Sequence, residues 1–211
     1  YIAHALLRDL QTQGFNRYWN PQWPPGTSEA ARRNNIARAI NTYYRILSSM
    51  FVSRGGVYSD SGVYDRALED YHTALSLDSG NASAYGNMGW VYYLKNDFQA
   101  CIDFSEQAVR TNGTSLYARY NRALAFLRLS RNSQADTAYR ETQEYATFLL
   151  DAGNYTDNTP GTAQIADMTI LVRNAREGAI GDLRDLVRQG IQAEEAKRIL
   201  HEIFFTDVEE Q

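Results

Sequence analysis

Small and aromatic residues recur every 34 positions through the middle of this 211-residue chain. Three of the recurring sets consist of small residues, and a fourth is aromatic throughout. The positions are Gly55, Gly89 and Ala123; Tyr58, Tyr92 and Phe126; Ala67, Cys101 and Ala135; and Ala74, Ala108 and Thr142. A fixed period of this length is typical of repeat architectures, in which each unit buries its hydrophobic face against its neighbours. We therefore expect a stack of similar units rather than a fold around one central core.

The stretch YGNMGWVYY, residues 85–93, indicates the secondary structure of the units. Its residues Tyr85, Met88, Gly89 and Tyr92 follow the i, i+3, i+4, i+7 spacing of one helix face. Turn-forming residues interrupt the pattern at corresponding places in three copies, at 60–62, 96–97 and 130–132. Each unit is therefore predicted to be two antiparallel helices, with small residues where the helices approach closely.

These residues resemble the tetratricopeptide repeat, whose pattern is W-x2-L-G-x2-Y, then A-x3-F, then P. The matching residues are Tyr85, Met88, Gly89 and Tyr92 in the second copy; Phe51, Gly55, Tyr58, Ala67 and Tyr71 in the first; and Ala123, Phe126, Ala135 and Tyr139 in the third. The resemblance covers about half of the chain, with repeats at 48–81, 82–115 and 116–149. It implies an all-α fold, a right-handed α-solenoid of helix-turn-helix repeats with flanking N- and C-terminal capping helices.

Two kinds of departure from the family pattern are present. The departing residues are Ser79, Gly113 and Thr147 in place of the closing proline, and Arg54, Arg119 and Arg122 at positions that are usually aromatic or aliphatic. An unpaired buried guanidinium is costly. Either these arginines pair with acids such as Glu69 or Asp136, or the third repeat packs in an atypical way.

The N-terminal region, residues 1–47, lies before the repeats. Residues 2–13 are predicted to form a short amphipathic helix. The segment Gly14–Ser28 that follows is rich in proline and aromatic residues, and we expect it to pack on the body of the protein. Ser28 is predicted to cap a further helix that runs directly into the first repeat.

The C-terminal region, residues 150–211, follows the repeats. A loop is predicted at about 150–162, and three shorter helices near 163–177, 180–189 and 192–205. Terminal repeats must be covered, so these helices are expected to cap the open end of the solenoid. The alternative is that they form a contact surface for another subunit or a partner helix.

Composition and charge restrict the classes of partner. The formal net charge is −4 and no basic cluster stands out, so no nucleic-acid partner is expected. No apolar run approaches 18 residues, so no direct membrane insertion is expected either. Because the chain begins with Tyr1 rather than Met, we expect a processed or partial chain lacking any signal peptide or anchor. The compartment stays open between the cytoplasm and an exported soluble domain.

Catalytic chemistry has little support in the sequence. The histidines His4, His72 and His201 lie far from one another, and none has a cysteine at metal-ligand spacing. The single cysteine, Cys101, takes the place of a small core residue and is expected to be buried and inert. The sequence therefore predicts a non-catalytic protein with no cofactor and no metal site.

The resemblance implies that the first helix of each repeat lines a concave groove that binds a partner protein or peptide. On the helix face beside the core face, we predict the following groove residues: Asn87, Trp90, Tyr93, Tyr117, Tyr120, Asn121, Leu124, Leu127 and Arg128. Tryptophan and tyrosine are enriched among interface hot spots, which favours an external partner segment in this groove.

A second hypothesis is that the chain fills its own groove. The filling segment would be Gly14–Ser28 or the C-terminal helix. In that case the protein would act in assembly through its C-terminal helices or outer surface, and homo-oligomerisation stays open. An uncharacterised enzyme or a small-ligand binder is the remaining alternative.

Overall fold

A computed structural model of the protein describes residues 26–154 and 162–205. All regular elements in these two ranges are α-helices, which confirms the all-α class. The helices are α1 (Glu29–Asp60), α2 (Tyr64–Leu77), α3 (Ala82–Leu94), α4 (Phe98–Thr111), α5 (Leu116–Arg128), α6 (Asn132–Asn154), α7 (Thr162–Arg188) and α8 (Ala193–Glu202). The chain divides into two compact units, residues 1–84 and 85–211, with the division inside the first turn of α3.

The first unit is built on α1 and α2, which pack against each other. The Ser28 hydroxyl accepts a hydrogen bond from the Ala31 N–H at 3.2 Å, so the predicted N-cap is confirmed. Helix α1 continues from Glu29 to Asp60 without a break, as the sequence predicted. The predictions for residues 2–13 and for most of the Gly14–Ser28 segment lie outside the described residues.

Small residues stand where helices of one pair approach closely. A Cβ atom built at Gly55 would lie 2.5 Å from the Tyr71 ring, and one at Gly89 would lie 2.8 Å from the Ser105 hydroxyl oxygen. Contacts this short leave no room for a methyl group. The predicted reason for the recurring small residues is therefore confirmed within both helix pairs.

The turn inside each of the three helix pairs has the same backbone conformation. Gly62, Asn96 and Ser130 stand 34 positions apart and adopt φ angles of 74°, 62° and 57°. In each turn the N–H of the following residue donates to the carbonyl of the recurring aromatic residue, as from Val63 to Tyr58 at 2.8 Å. This is a Schellman motif, which satisfies carbonyl groups at the end of a helix. Asp97 then caps α4 by accepting from the Ala100 N–H at 3.1 Å.

The C-terminal region contains two described helices where the sequence predicted three. The predicted break between residues 177 and 180 is wrong, because α7 is continuous from Thr162 to Arg188. A buried stripe runs through the break at helical spacing, and it comprises Val172, Ala175, Ala179, Leu183 and Leu186. Its burial outweighs the cost of about 1 kcal/mol for each of the two glycines inside the helix. Helix α7 ends instead at Arg188, and the turn that follows contains Gly190, whose φ is 70°.

The predicted loop after the repeats begins later than expected. Helix α6 continues to Asn154, past the predicted end of the third repeat at residue 149. Residues 155–161 lie outside the described part of the chain.

The core of the second unit joins the third helix pair to the C-terminal helices. Helix α7 packs on α5 and α6, and α8 packs on α7 with a smaller contact to α6. An ion pair also ties α8 to α6, since Arg198 donates to Asp136 at 2.8 Å. Among the described helices, none combines the length and apolar composition that a membrane span requires.

The three arginines at normally apolar positions have different environments. Arg54 pairs with Asp70 rather than with Glu69. Arg119 donates to the Gly113 carbonyl at 3.1 Å, and its guanidinium lies 4.5 Å from the centre of the Tyr145 ring. Arg122 does not pair with Asp136; the carboxylate near it belongs to Glu141, at 3.9 Å.

Candidate partner-binding groove

The nine predicted groove residues lie on α3 and α5 and differ widely in exposure. Tyr117 is the most open, with 49% of its surface exposed. A second group is partly exposed and comprises Asn87, Trp90, Tyr93, Asn121 and Arg128. A third group is buried and comprises Tyr120, Leu124 and Leu127.

The second group contains a stack of aromatic rings. Trp90 and Tyr93 are three residues apart on α3, so their side chains project from the same side of the helix. Their ring centroids are 5.2 Å apart and the planes are nearly parallel, at 8°. The Tyr93 ring also contacts Phe98 at the start of α4, with centroids 5.4 Å apart. The stack thus spans the turn between the two helices.

The Arg128 side chain, from the end of α5, fixes this stack. Its guanidinium lies 4.4 Å from the centre of the Phe98 ring and 5.6 Å from that of Tyr93. It also donates to the Tyr93 hydroxyl at 3.4 Å and to the Asn96 side-chain oxygen at 3.3 Å. Burial raises the pKa of the Tyr93 phenol, and the hydrogen bond from Arg128 partly offsets that rise. Arg128 therefore holds the rings in place while keeping its own charge near the surface.

The buried group is covered by the C-terminal region of the same chain. Tyr120 is 4% exposed, and its ring lies 6.0 Å from that of Phe204. The Tyr120 hydroxyl donates to the Gln143 side-chain oxygen at 2.6 Å. Burial raises the pKa of Tyr120 to about 12. Leu124 and Leu127 belong to the same buried cluster as the apolar residues of α7 and α8. In this conformation the three side chains do not line an open surface.

Two residues of this region were missed by the sequence reasoning. Phe204 was not among the predicted site residues, although Ile199, Leu200, Ile203 and Phe204 share one side of the last predicted helix, a pattern that indicates burial. Asp182 carried no sequence signal, because a lone acid on a helix of mixed composition usually faces water. In the structure, burial raises the pKa of Asp182 to about 6, with the nearby charge of Asp185 adding to the rise.

The site offers contacts typical of polypeptide recognition. The partly exposed rings can receive apolar side chains, and the amides of Asn87 and Asn121 have the groups that a peptide backbone pairs with. Cys101 is buried, and burial raises the pKa of its thiol to about 12. Within residues 26–154 and 162–205, no group of histidine, cysteine or acidic residues has the arrangement of a metal site.

Two family models match the chain. One, described as a TPR repeat, matches residues 55–96, and the other, described as a tetratricopeptide repeat, matches residues 82–114. Together they span the end of α1, all of α2 and the second helix pair. The third helix pair, α5 and α6, has the same Schellman turn but is not covered by either match.

Individual proteins also match parts of the chain. Tetratricopeptide repeat protein 6 of Homo sapiens is 28% identical over 100 residues, which are 47% of this chain and 18% of that protein. Protein O-mannosyl-transferase TMTC1 of Mus musculus is 26% identical over 66 residues, 31% of this chain and 7% of that protein. The chain thus spans less than a fifth of the length of either relative. The crystal structure of MamA aligns with a TM-score of 0.45 at 19% identity, covering 77% of this chain and 98% of MamA.

Tetratricopeptide repeats are modules of protein interaction, which makes the repeat region a protein-interaction scaffold. The matches identify residues 55–114 of the chain as tetratricopeptide repeats.

Proposed function

We propose that the chain is a non-catalytic scaffold that binds an extended or helical segment of a partner protein on α3 and α5. The contact residues would be Asn87, Trp90, Tyr93, Tyr117, Asn121 and Arg128. The observation that carries this proposal is the Trp90–Tyr93 stack, which is partly exposed and held by Arg128. Aromatic side chains that are already fixed lose little conformational entropy when a partner binds. Such anchors are typical of binding hot spots.

The partner is expected to bind without displacing the C-terminal helices. Tyr120, Leu124 and Leu127 are at most 4% exposed, so they contribute to the groove as its floor rather than as contact residues. The raised pKa of Cys101 keeps its thiol protonated at neutral pH, which supports a non-catalytic role.

The test is selection of peptides on the full chain from a random display library, followed by affinity measurement. Trp90→Ala and Tyr117→Ala should each weaken the selected peptides about tenfold or more, the loss expected for a hot-spot residue. Phe148→Ala is the matched control, because Phe148 is an aromatic residue of α6 with 61% exposure and is not among the groove residues. Equal losses in all three variants, or none, would refute the groove.

The second candidate function is assembly through the C-terminal helices with the groove already filled by the chain. The burial of Tyr120, Leu124 and Leu127 in one cluster with α7 and α8 residues favours it. Phe205 follows α8 and is 86% exposed, which makes it the natural contact for a second copy. Light scattering would show a multiple of the 24.0 kDa chain mass that falls to the monomer value in Phe205→Ser. A monomeric wild-type chain would exclude self-assembly.

A further inference from the structure

The first and third helix pairs contain pockets at corresponding repeat positions. The pocket of the first pair is lined by Arg54, Tyr58, Arg66, Glu69, Asp70 and Thr73. The third pair's pocket is lined by Arg122, Phe126, Ser133, Gln134, Thr137, Ala138 and Glu141. Each residue of the first pocket is two repeat periods before its counterpart in the third. The environment of Arg122 in the third helix pair can therefore be compared, position by position, with that of Arg54 in the first.

In the first helix pair the arginine has a complete partner. The Arg54 Nε donates to one Asp70 carboxylate oxygen at 2.6 Å, and its Nη2 donates to the other at 2.5 Å. The Asp70 side chain is 6% exposed, so water screens this pair little. Two parallel hydrogen bonds to one carboxylate are the strongest geometry that a guanidinium forms with a side chain.

In the third helix pair the corresponding carboxylate is missing from the sequence. Arg122 stands at the position of Arg54, but Ala138 stands at the position of Asp70. The Arg122 Nε atom is buried and has no hydrogen-bond partner among the described residues. Glu141 lies 3.9 Å from Nη2, which is too long for a hydrogen bond, and its side chain is 58% exposed. A buried donor without a partner has lost its hydrogen bonds to water and gained none in exchange.

The space beside Arg122 is large enough for an incoming group. The cavity has a volume of about 320 Å³. Phe126 and Ala138 form apolar walls, while Ser133 and Thr137 supply hydroxyl groups. Apolar walls around a guanidinium strengthen its attraction to a carboxylate, because the effective dielectric constant is lower there than in water.

We propose that this cavity binds a carboxylate presented by a polypeptide partner, received by Arg122 in the two-bond geometry that Arg54 forms with Asp70. The carboxylate is either an aspartate or glutamate side chain or a chain terminus. The cavity shares no residue with the groove on α3 and α5. The carboxylate-binding proposal can therefore be tested independently of the proposed function.

The direct test observes the arginine Nε–H signals of the full 15N-labelled chain by NMR. The probes are N-acetyl-glutamate α-amide, which carries a side-chain carboxylate, and N-acetylglycine, which carries a terminal one. The Arg122 signal, identified by its loss in Arg122→Lys, should shift with saturation in the millimolar range, and the Arg54 signal should not move. The probe that binds more tightly identifies the source of the carboxylate. If neither probe produces a saturable shift beyond that of sodium chloride at equal ionic strength, the proposal is wrong.

A second test supplies the missing carboxylate from within the chain. Ala138→Asp should raise the melting temperature by a few degrees and abolish the response to both probes, because the new side chain occupies the cavity. A buried Ala→Asp change without a cation beside it is strongly destabilising. Ala135→Asp is therefore the matched control, since Ala135 is 0% exposed on the same helix. Loss of stability in both variants alike would contradict the proposed site.

Discussion

The ring of Phe204 lies 6.0 Å from the ring of Tyr120, with 41° between their planes. Phe204 is 1% exposed and also meets Tyr139 edge-on, at a centroid distance of 5.9 Å. Its carbonyl accepts a hydrogen bond from Arg176 at 2.7 Å. Phe204, near the end of the described chain, therefore packs into the third helix pair. The α7–α8 segment thus forms part of the core of that helix pair.

Phe204→Ala should reduce the free energy of unfolding by about 3–5 kcal/mol, because it removes a fully buried aromatic side chain and leaves a cavity. Chemical denaturation followed by circular dichroism measures this loss. The neighbouring Phe205 is 86% exposed and provides a matched control. Phe205→Ala should change the unfolding free energy by less than about 0.5 kcal/mol. Similar losses in the two variants would mean that Phe204 does not hold the C-terminal helices.

The repeat period made much of the fold predictable from sequence, because it fixes which residues meet. Gly89 repeats at a position where two helix backbones nearly touch, so its identity follows from geometry. Asp97, which caps α4, stands directly before a helical pattern, where an aspartate is a typical N-cap. Both features depend only on residues that are a few positions apart or one repeat period apart, so they can be read from the sequence.

Features that depend on packing outside the repeats were not predictable. The continuity of α7 through Gly178 and Gly181 comes from a buried stripe that overrides glycine's low helix propensity. The burial of Tyr120, Leu124 and Leu127 depends on where α7 lies, which no spacing in the sequence specifies. The predicted groove residues could therefore be assigned to α3 and α5, but which of them are accessible could not be predicted.

The two glycines of α3 should respond in opposite ways to alanine. A methyl group at Gly89 would lie 2.8 Å from the Ser105 Oγ and 3.3 Å from the Cys101 carbonyl oxygen, so the Ser105 side chain would have to turn away and the α4 backbone would have to shift slightly. One at Gly86 would lie 3.9 Å from the Cβ atoms of Ala108 and Ala118, an ordinary contact distance. Gly89→Ala should lower stability by about 1–3 kcal/mol. Gly86→Ala should raise stability by about 0.4–1 kcal/mol, because it restricts the unfolded chain.

Thermal denaturation of both glycine variants at one pH and protein concentration measures the difference. Each variant replaces a glycine of the same helix by the same residue, so helix propensity cancels between them. If Gly89→Ala proved as stable as Gly86→Ala, the close approach of α3 and α4 at this position would be disproved.

Asp182 should make the fold less stable as the pH rises. Burial raises its pKa in the folded protein to about 6, above the value of about 3.9 in an unfolded chain. Its stabilising contribution is thus fully present below about pH 4 and is lost as the pH rises through about 6. A difference of about two pKa units corresponds to about 3 kcal/mol. Tyr93 and Tyr139 face this carboxylate from α3 and α6; burial raises the pKa of both phenols, and the charge of Asp182 adds to the rise.

Asp182→Asn keeps the shape of the protonated side chain and removes its titration. The variant should exceed the wild type in unfolding free energy by up to about 3 kcal/mol near pH 7.5 and match it near pH 4. Denaturant titrations across this range measure the two curves. Asp103→Asn is the control, because it makes the same substitution at an exposed position on α4. A difference that is the same at both ends of the range would exclude burial of the charge as its cause.

Cys101 should be almost unreactive while the protein is folded. The thiol is 0% exposed, and burial raises its pKa to about 12, against about 8.5 for a free cysteine. Near pH 8 the thiolate fraction is thereby reduced about a thousandfold or more, and thiolate is the reactive form. Reaction with a disulfide reagent such as DTNB should therefore be at least about a thousandfold slower in buffer than in denaturant.

A Ser61→Cys, Cys101→Ser variant supplies an exposed thiol in the turn after α1, which should react at nearly the same rate in both conditions. Rapid labelling of Cys101 in the folded chain would show that α3 and α4 separate readily, and it would count against a rigid repeat beneath the Trp90–Tyr93 stack.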